Sequence, residues 1–323
     1  MASPKKPTSP PPIVFTTRVI KPDVLLEVLG QDFHVMSPAL KMHSVFFAAF
    51  LDSSNKASAT PANPKFNYHW GTTIDKDGSW GLESNEKHKL KGDAQLQIES
   101  FRILMCAIHS TPFTIAIDGI EVLETTTTLA DYYRALPILS IAVSAVLFSR
   151  PDFLFEIPKH CVRLLSISAQ LRNAVLFHEC LLHACGPWTE PRYLTLPEGK
   201  IRAACETAYG KMCIKTYKAQ NQLLESIPNH DEVGRTMVAL VSKCMDGPRI
   251  VIPYYYRTLI VELGYIPKVT FAIVPLMRNA LVLEWFPSHP GVGGREGLEY
   301  KDFFFCLERD DVELPWDVTQ VDW

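Results

Sequence analysis

No Cys-x-x-Cys pair occurs among the eight cysteines of this 323-residue sequence. That excludes the usual zinc-finger and redox-dithiol patterns. All eight lie beyond residue 100, too sparse for the disulfide framework of a short secreted chain. They read as free, buried thiols in a reducing compartment. Charge of one sign is also missing: 32 Lys and Arg against 35 Asp and Glu leave a net −3, with no electrostatic footprint for nucleic acid. No apolar run reaches the roughly 20 residues of a spanning helix. The longest, 135–148, is fourteen residues between Arg134 and Arg150 and contains Pro137, so no membrane partner is expected. The first twelve residues hold five prolines and no apolar core of a secretory signal. A cytoplasmic or nuclear location is expected.

Catalytic signatures are missing as well. There is no Gly-x-Ser-x-Gly nucleophile elbow and no P-loop lysine motif. Gly291-x-Gly293-Gly294 lacks the strand before and the helix after it that a dinucleotide site requires, and reads as a flexible loop. The segment from His178 to Cys185 is the densest group of potential metal ligands. Its two histidines are five apart, about 140° around a helix, so they face different ways. A zinc site takes about four ligands, and packed thiols with partly exposed histidines are the better reading. No cofactor or metal is expected.

What is present is an ordinary globular composition, 47% apolar and 21% charged, long enough for about two domains. Residues 1–12 are expected to be a disordered Pro-rich tail. A β-branched segment at 13–20 reads as a strand. Residues 24–29 read as another, with Val24, Leu26 and Val28 on one face, and Gly30 turns the chain into a return strand at 33–36. Ser37-Pro38 reads as a capped helix start and Ser44 as the cap of a second helix at 45–51. Residues 52–92 are polar and turn-rich, a long insertion with short strands expected near 68–74 and 79–82. A helix is predicted at 94–108, a strand at 113–117, and two helices within 129–148 divided at Pro137. Beyond lie helical patterns at 161–185, 200–227 and 233–245, then apolar stretches cut by Pro253, Pro267 and Pro275. The triple aromatic runs Tyr254-Tyr255-Tyr256 and Phe303-Phe304-Phe305 lack a basic surround and are expected to be buried. The last 25 residues hold eight acids and two bases, net −6, so the rest of the chain is +3. Trp316 and Trp323 in that acidic tail point to docking on the body or on a partner.

The order of these elements resembles the opening of the BTB/POZ fold. Asp23-Val24, the strand pair, Phe33-x-Val35, Leu40, Ser44, Phe46-Phe47 and Phe50 carry the resemblance. Residues 99–108 look like its third helix, and Leu129-Ala130-Asp131-Tyr132-Tyr133 looks like its Leu-Ala-x-x-Tyr helix. Residues 169–177 and Leu314-Pro315-Trp316-Asp317 look like the helical region and tail of BTB-domain proteins of filamentous fungi. Two positions depart from the pattern. Met36 stands where the family has a histidine, and the insertion of about forty residues falls where a sheet strand belongs, against a usual loop of roughly 4–6 residues.

The resemblance implies an α+β fold: a BTB/POZ-like domain over 13–150, then a mainly helical region over 151–298 and an acidic tail over 299–323. It implies protein–protein association, with homodimers common and a cullin ubiquitin-ligase scaffold recruited by some members. The family's usual dimer helix would fall on the Pro-rich residues 1–12, which cannot supply it, although the strand at 13–20 could accept a partner strand at its edge. Cullin-binding members carry an apolar-x-Glu tripeptide after the second helix. It is absent between Leu51 and Gly92, and Val122-Leu123-Glu124 sits in the wrong place. The expected function is a non-catalytic interaction or scaffold protein, with Ile13, Phe15, Phe46, Phe47, Phe50 and Trp316 as partner-binding candidates. The alternatives are a cullin-dependent substrate adaptor, or an enzyme with its site in 188–298.

Overall fold

A computed structural model describes residues 10–51, 65–74, 80–82, 92–116, 119–149, 153, 156–229, 231–277, 304–308 and 312–320. It is a mixed α+β chain in two compact units, residues 1–146 and 147–322.

The first unit opens with strands β1 (Ile13–Val14), β2 (Val24–Val28) and β3 (Gln31–Val35). β2 and β3 form an antiparallel hairpin that pairs Leu26 with Phe33. Leu29 and Gly30 both take positive φ, 50° and 87°, as a two-residue turn matched to strand twist requires. Helices α1 (Ser37–His43) and α2 (Val45–Leu51) follow. Strand β4 (Tyr68–Gly71) then returns parallel to β2, giving the sheet order β1-β3-β2-β4. This strand arises inside the long insertion. A small ribbon, β5 (Thr73–Ile74) and β6 (Trp80–Gly81), lies beside it in sequence. Helices α3 (Ala94–Ile108), α4 (Ile120–Tyr132) and α5 (Leu136–Ser149) complete the unit. The chain breaks between α4 and α5 at 133–135, and Pro137 sits in the first turn of α5, where its missing N–H costs nothing.

Three expectations are corrected here. The strand predicted at 13–20 ends at Val14, because Thr17 closes a local turn: its N–H donates to the Ile20 carbonyl and its Oγ accepts from the Ile20 N–H at 2.9 Å. Residues 113–116 of the strand predicted at 113–117 form none. Ser37 does not cap α1 with its own side chain; Asp23 takes that place. The Asp23 carboxylate accepts from the Ser37 N–H at 2.8 Å and the Ser37 hydroxyl at 2.6 Å. The Asp23 carbonyl accepts from Asn67, and its N–H donates to Val35. One aspartate thus joins β2, β3, α1 and the lead into β4. Ser44 does cap α2, accepting from the Phe47 N–H at 3.0 Å, while its hydroxyl donates to the Tyr133 carbonyl.

An aromatic cluster fills the first unit. Phe47 stacks on Tyr133 at 5.1 Å, Phe101 meets Phe33 and Tyr133 edge-on, and Phe46 touches Phe47, Phe50 and Tyr133. Such pairs favour edge-on or offset contact because ring edges are positive and faces negative.

The second unit begins with α6 (Ile157–Gln170) and α7 (Ala174–Ala184). The single pattern predicted at 161–185 is therefore two helices. Arg172 takes φ 48°, and Asn173 starts α7 by accepting from the Leu176 N–H at 3.0 Å. A 3₁₀ turn (Arg192–Thr195) leads to the 27-residue α8 (Lys200–Ser226). Then come α9 (Asp231–Lys243), a hairpin of β7 (Met245–Asp246) and β8 (Arg249–Ile250), α10 (Ile252–Leu263) and α11 (Pro267–Met277). The apolar stretch at 250–256 is thus the start of a helix, with Pro253 in its first turn. Helix α11 packs on α8, and α10 on α9 and α11. No helix among the described residues is long and apolar enough to cross a membrane.

Candidate interaction surfaces

The partner-binding candidates of the first unit divide by burial. Phe15, Phe47 and Phe50 are buried, Phe47 with no exposure at all. Their surface is spent on the unit's own core: Phe15 lies against His109, Phe47 on Tyr133, and Phe50 on Trp70 at 4.1 Å. As free partner contacts these three are corrected. Ile13 is half-buried and pairs with Phe33 through parallel β1–β3 bonding. Phe46 is half-buried and reaches the surface beside Tyr132, at 5.7 Å. Its neighbours Met42 and Val45 are 75% and 71% exposed, and Tyr132 is 50% exposed. Phe46 and Tyr132 therefore form the outer edge of the aromatic cluster, with exposed Met42 and Val45 close to Phe46 in sequence. Met42, Val45 and Tyr132 were not singled out in the sequence. The signal was available in the spacing of 42, 45 and 46 across two short helices.

One histidine organises the inner end of this unit. His109, at the end of α3, accepts at Nε2 from the Met36 N–H at 3.2 Å, and its Nδ1 lies 2.9 Å from the Met105 carbonyl. A backbone N–H can only donate, so Nε2 carries no proton and Nδ1–H donates to Met105. Burial lowers the pKa of this ring to about 4, against the Met105 bond, with His43 adding to the lowering.

In the second unit, Trp316 is half-buried and meets Phe177 of α7 edge-on at 5.3 Å. The C-terminal segment that carries it enters through the unit's core. Phe304, Phe305, Cys306 and Leu307 are all buried. Cys306 N–H donates to the Leu276 carbonyl, and Arg257 donates to the Phe304 carbonyl at 2.8 Å. Phe305 packs on Trp188 at 4.7 Å, and Phe304 lies over Gly186 so closely that a β-carbon there would come within 2.0 Å of the ring. Further along, Glu308 pairs with Lys215, Glu313 with Lys211 at 3.0 Å, and Gln320 accepts from Arg172 at 2.9 Å. Neither lysine nor Arg172 was singled out in the sequence. The signal was the contrast between a basic α8 and an acidic tail.

The thiol and imidazole candidates do not form a reactive centre. All eight cysteines are free, and all but the half-buried Cys213 are buried. Burial pushes the Cys180 and Cys185 thiols well above their ordinary range and Cys205 up to about 12. Such thiols stay protonated and unreactive. His183, expected to be partly exposed, is buried against Phe304. Among the described residues no group of three or more His, Cys, Asp or Glu is arranged to hold a metal ion. Tyr255 and Tyr256 are buried as expected, whereas Phe303 and the glycine loop at 288–297 lie outside the described residues. No protein-family model, curated protein or solved structure matches this chain.

Proposed function

We propose that the chain is a non-catalytic interaction or scaffold protein acting through a BTB/POZ-like first unit. The observation that carries the reading is the element order: hairpin β2–β3, helix pair α1–α2, strand β4 parallel to β2, then α3, α4 and α5. The residues of the resemblance have structural work in that order. Asp23 ties the hairpin to α1, Ser44 caps α2 and reaches α4's end, and Phe47 and Tyr133 stack in the centre. The contact surface assigned to this function is the rim of Met42, Val45, Phe46 and Tyr132. Exposed apolar side chains grouped around an aromatic cluster are a common mark of protein association. The missing apolar-x-Glu tripeptide argues against the alternative of a cullin adaptor, and Val122-Leu123-Glu124 lies within α4.

The test is light scattering and affinity capture with the intact protein and with Val45→Asp plus Tyr132→Asp, two exposed substitutions. The expected result is a self-associated mass or a reproducible captured protein that the double variant loses. A monomer at high micromolar concentration, with identical capture by both proteins, would overturn the reading.

A further inference from the structure

At Glu308 the C-terminal segment changes in kind. Phe304 to Leu307 are core residues, but the described residues 308 and 312–320 are exposed or half-buried. They run antiparallel along α8: Glu308 meets Lys215, Glu313 meets Lys211, and Asp317 lies near Lys200. Positions 200, 204, 207, 211 and 215 form one stripe of the helix, about 22 Å long at 1.5 Å per residue. Lysines mark its ends, and Ala203, Ala204 and Thr207 leave its middle shallow. The segment does not fill that middle. A groove of 380 Å³ stays open between these small residues and Leu314-Pro315-Trp316. Contacts on the segment include two exposed ion pairs and the Arg172–Gln320 hydrogen bond, which water and salt weaken, and the edge-on Trp316–Phe177 contact.

We propose that this face of α8 is a docking groove for an acidic, tryptophan-bearing segment of a partner protein, and that Glu308 and residues 312–320 occupy it as an intramolecular competitor. The lysine pair sets the charge of the ligand, and the edge of Phe177 selects a ring beside the Leu-Pro step. The unfilled volume means that a partner with a bulkier residue at that step buries more surface than the chain's own segment does. The competitor raises the apparent dissociation constant by the reciprocal of the fraction of molecules in which the groove is open. This site lies wholly in the second unit and does not depend on the reading of the first.

The experiment uses the full chain and a fluorescent synthetic peptide with the sequence of residues 308–320, followed by anisotropy. Glu308→Gln with Glu313→Gln in the chain removes exposed charges alone and leaves the core untouched. That variant is expected to bind the peptide roughly threefold to tenfold more tightly than the unaltered chain, the range two exposed pairs give. Adding Lys211→Glu and Lys215→Glu is expected to abolish binding, as is Trp316→Ala in the peptide. Equal affinity of the unaltered chain and the tail variant, indifference to the lysine charges, or no binding by either protein would overturn the proposal. A doubling of mass in light scattering that the tail variant alone abolishes would assign the groove to a second copy and overturn it too.

Discussion

The aromatic centre of the first unit is assembled from several of its strands and helices, whereas in the second unit several aromatic side chains gather on one C-terminal segment. Phe33, Phe46, Phe47, Phe101 and Tyr133 come from β3, α2, α3 and the end of α4 and converge on one centre. Trp188, Tyr256 and His183 instead converge on Phe304 and Phe305, close to fifty residues or more away in sequence. The first arrangement gives a core with a rim that can face outward at Phe46 and Tyr132. The second gives a core that is closed by an extended strap, with the strap's outer half left on the surface. Each unit therefore places its candidate surface where its aromatic packing runs out.

Three measurements would break or sharpen that contrast. The largest effect is expected from emptying each centre. Phe47→Ala and Phe305→Ala should each cost about 3–5 kcal/mol in chemical denaturation. If Phe305→Ala cost much less, the strap would be an ornament and not part of a core. The second effect separates the units by pH. His109 is neutral in the fold, with its pKa lowered from 6.5 to about 4, so its contribution is complete above 6.5 and is lost as pH falls towards 4. Protonation would set an N–H at Nε2 against the Met36 N–H. The loss should be roughly 2–3 kcal/mol across that window. Denaturation midpoints at several pH values, compared with His109→Gln, check it: the variant should lose this part of the slope. The third effect is Gly186→Ala, expected to cost about 1–3 kcal/mol because the Phe304 ring must move to admit one carbon. Hydrogen exchange at 304–307 should rise with it; unchanged exchange would show that the ring has room to spare.

The parts of this fold that the sequence revealed are those fixed by neighbours. Alternation at Val24, Leu26 and Val28 with Gly30 next to it gave the hairpin, and Pro38 and Ser44 gave the helix pair. What stayed hidden depends on distant partners. A reader of residues 37–38 sees serine before proline and assigns a cap; only the folded chain shows that Asp23, fourteen residues earlier, does the capping. The break at Arg172 is invisible to periodicity because apolar spacing continues on both sides of it, with Asn173 as the only local sign. Thr17 ended β1 by bonding to Ile20, a choice that β-branched composition does not disclose. The candidate surface of the second unit was half legible. Trp316 stood out as an odd residue for a solvated tail, but the lysines it arrives beside lie 93 and 102 residues away from their glutamates.

The burial of residues 304–307 also sets an order of events in time. Synthesis adds about 5–20 residues per second, so Gly186 and Trp188 emerge roughly 6–24 s, and Tyr256 roughly 2–10 s, before Phe304. During that interval Trp188, Tyr256 and the bed over Gly186 have no Phe304 or Phe305 to cover them. Until then a patch of the second unit's apolar core stands open to water, whereas every ring of the first unit's centre has already been made by residue 133.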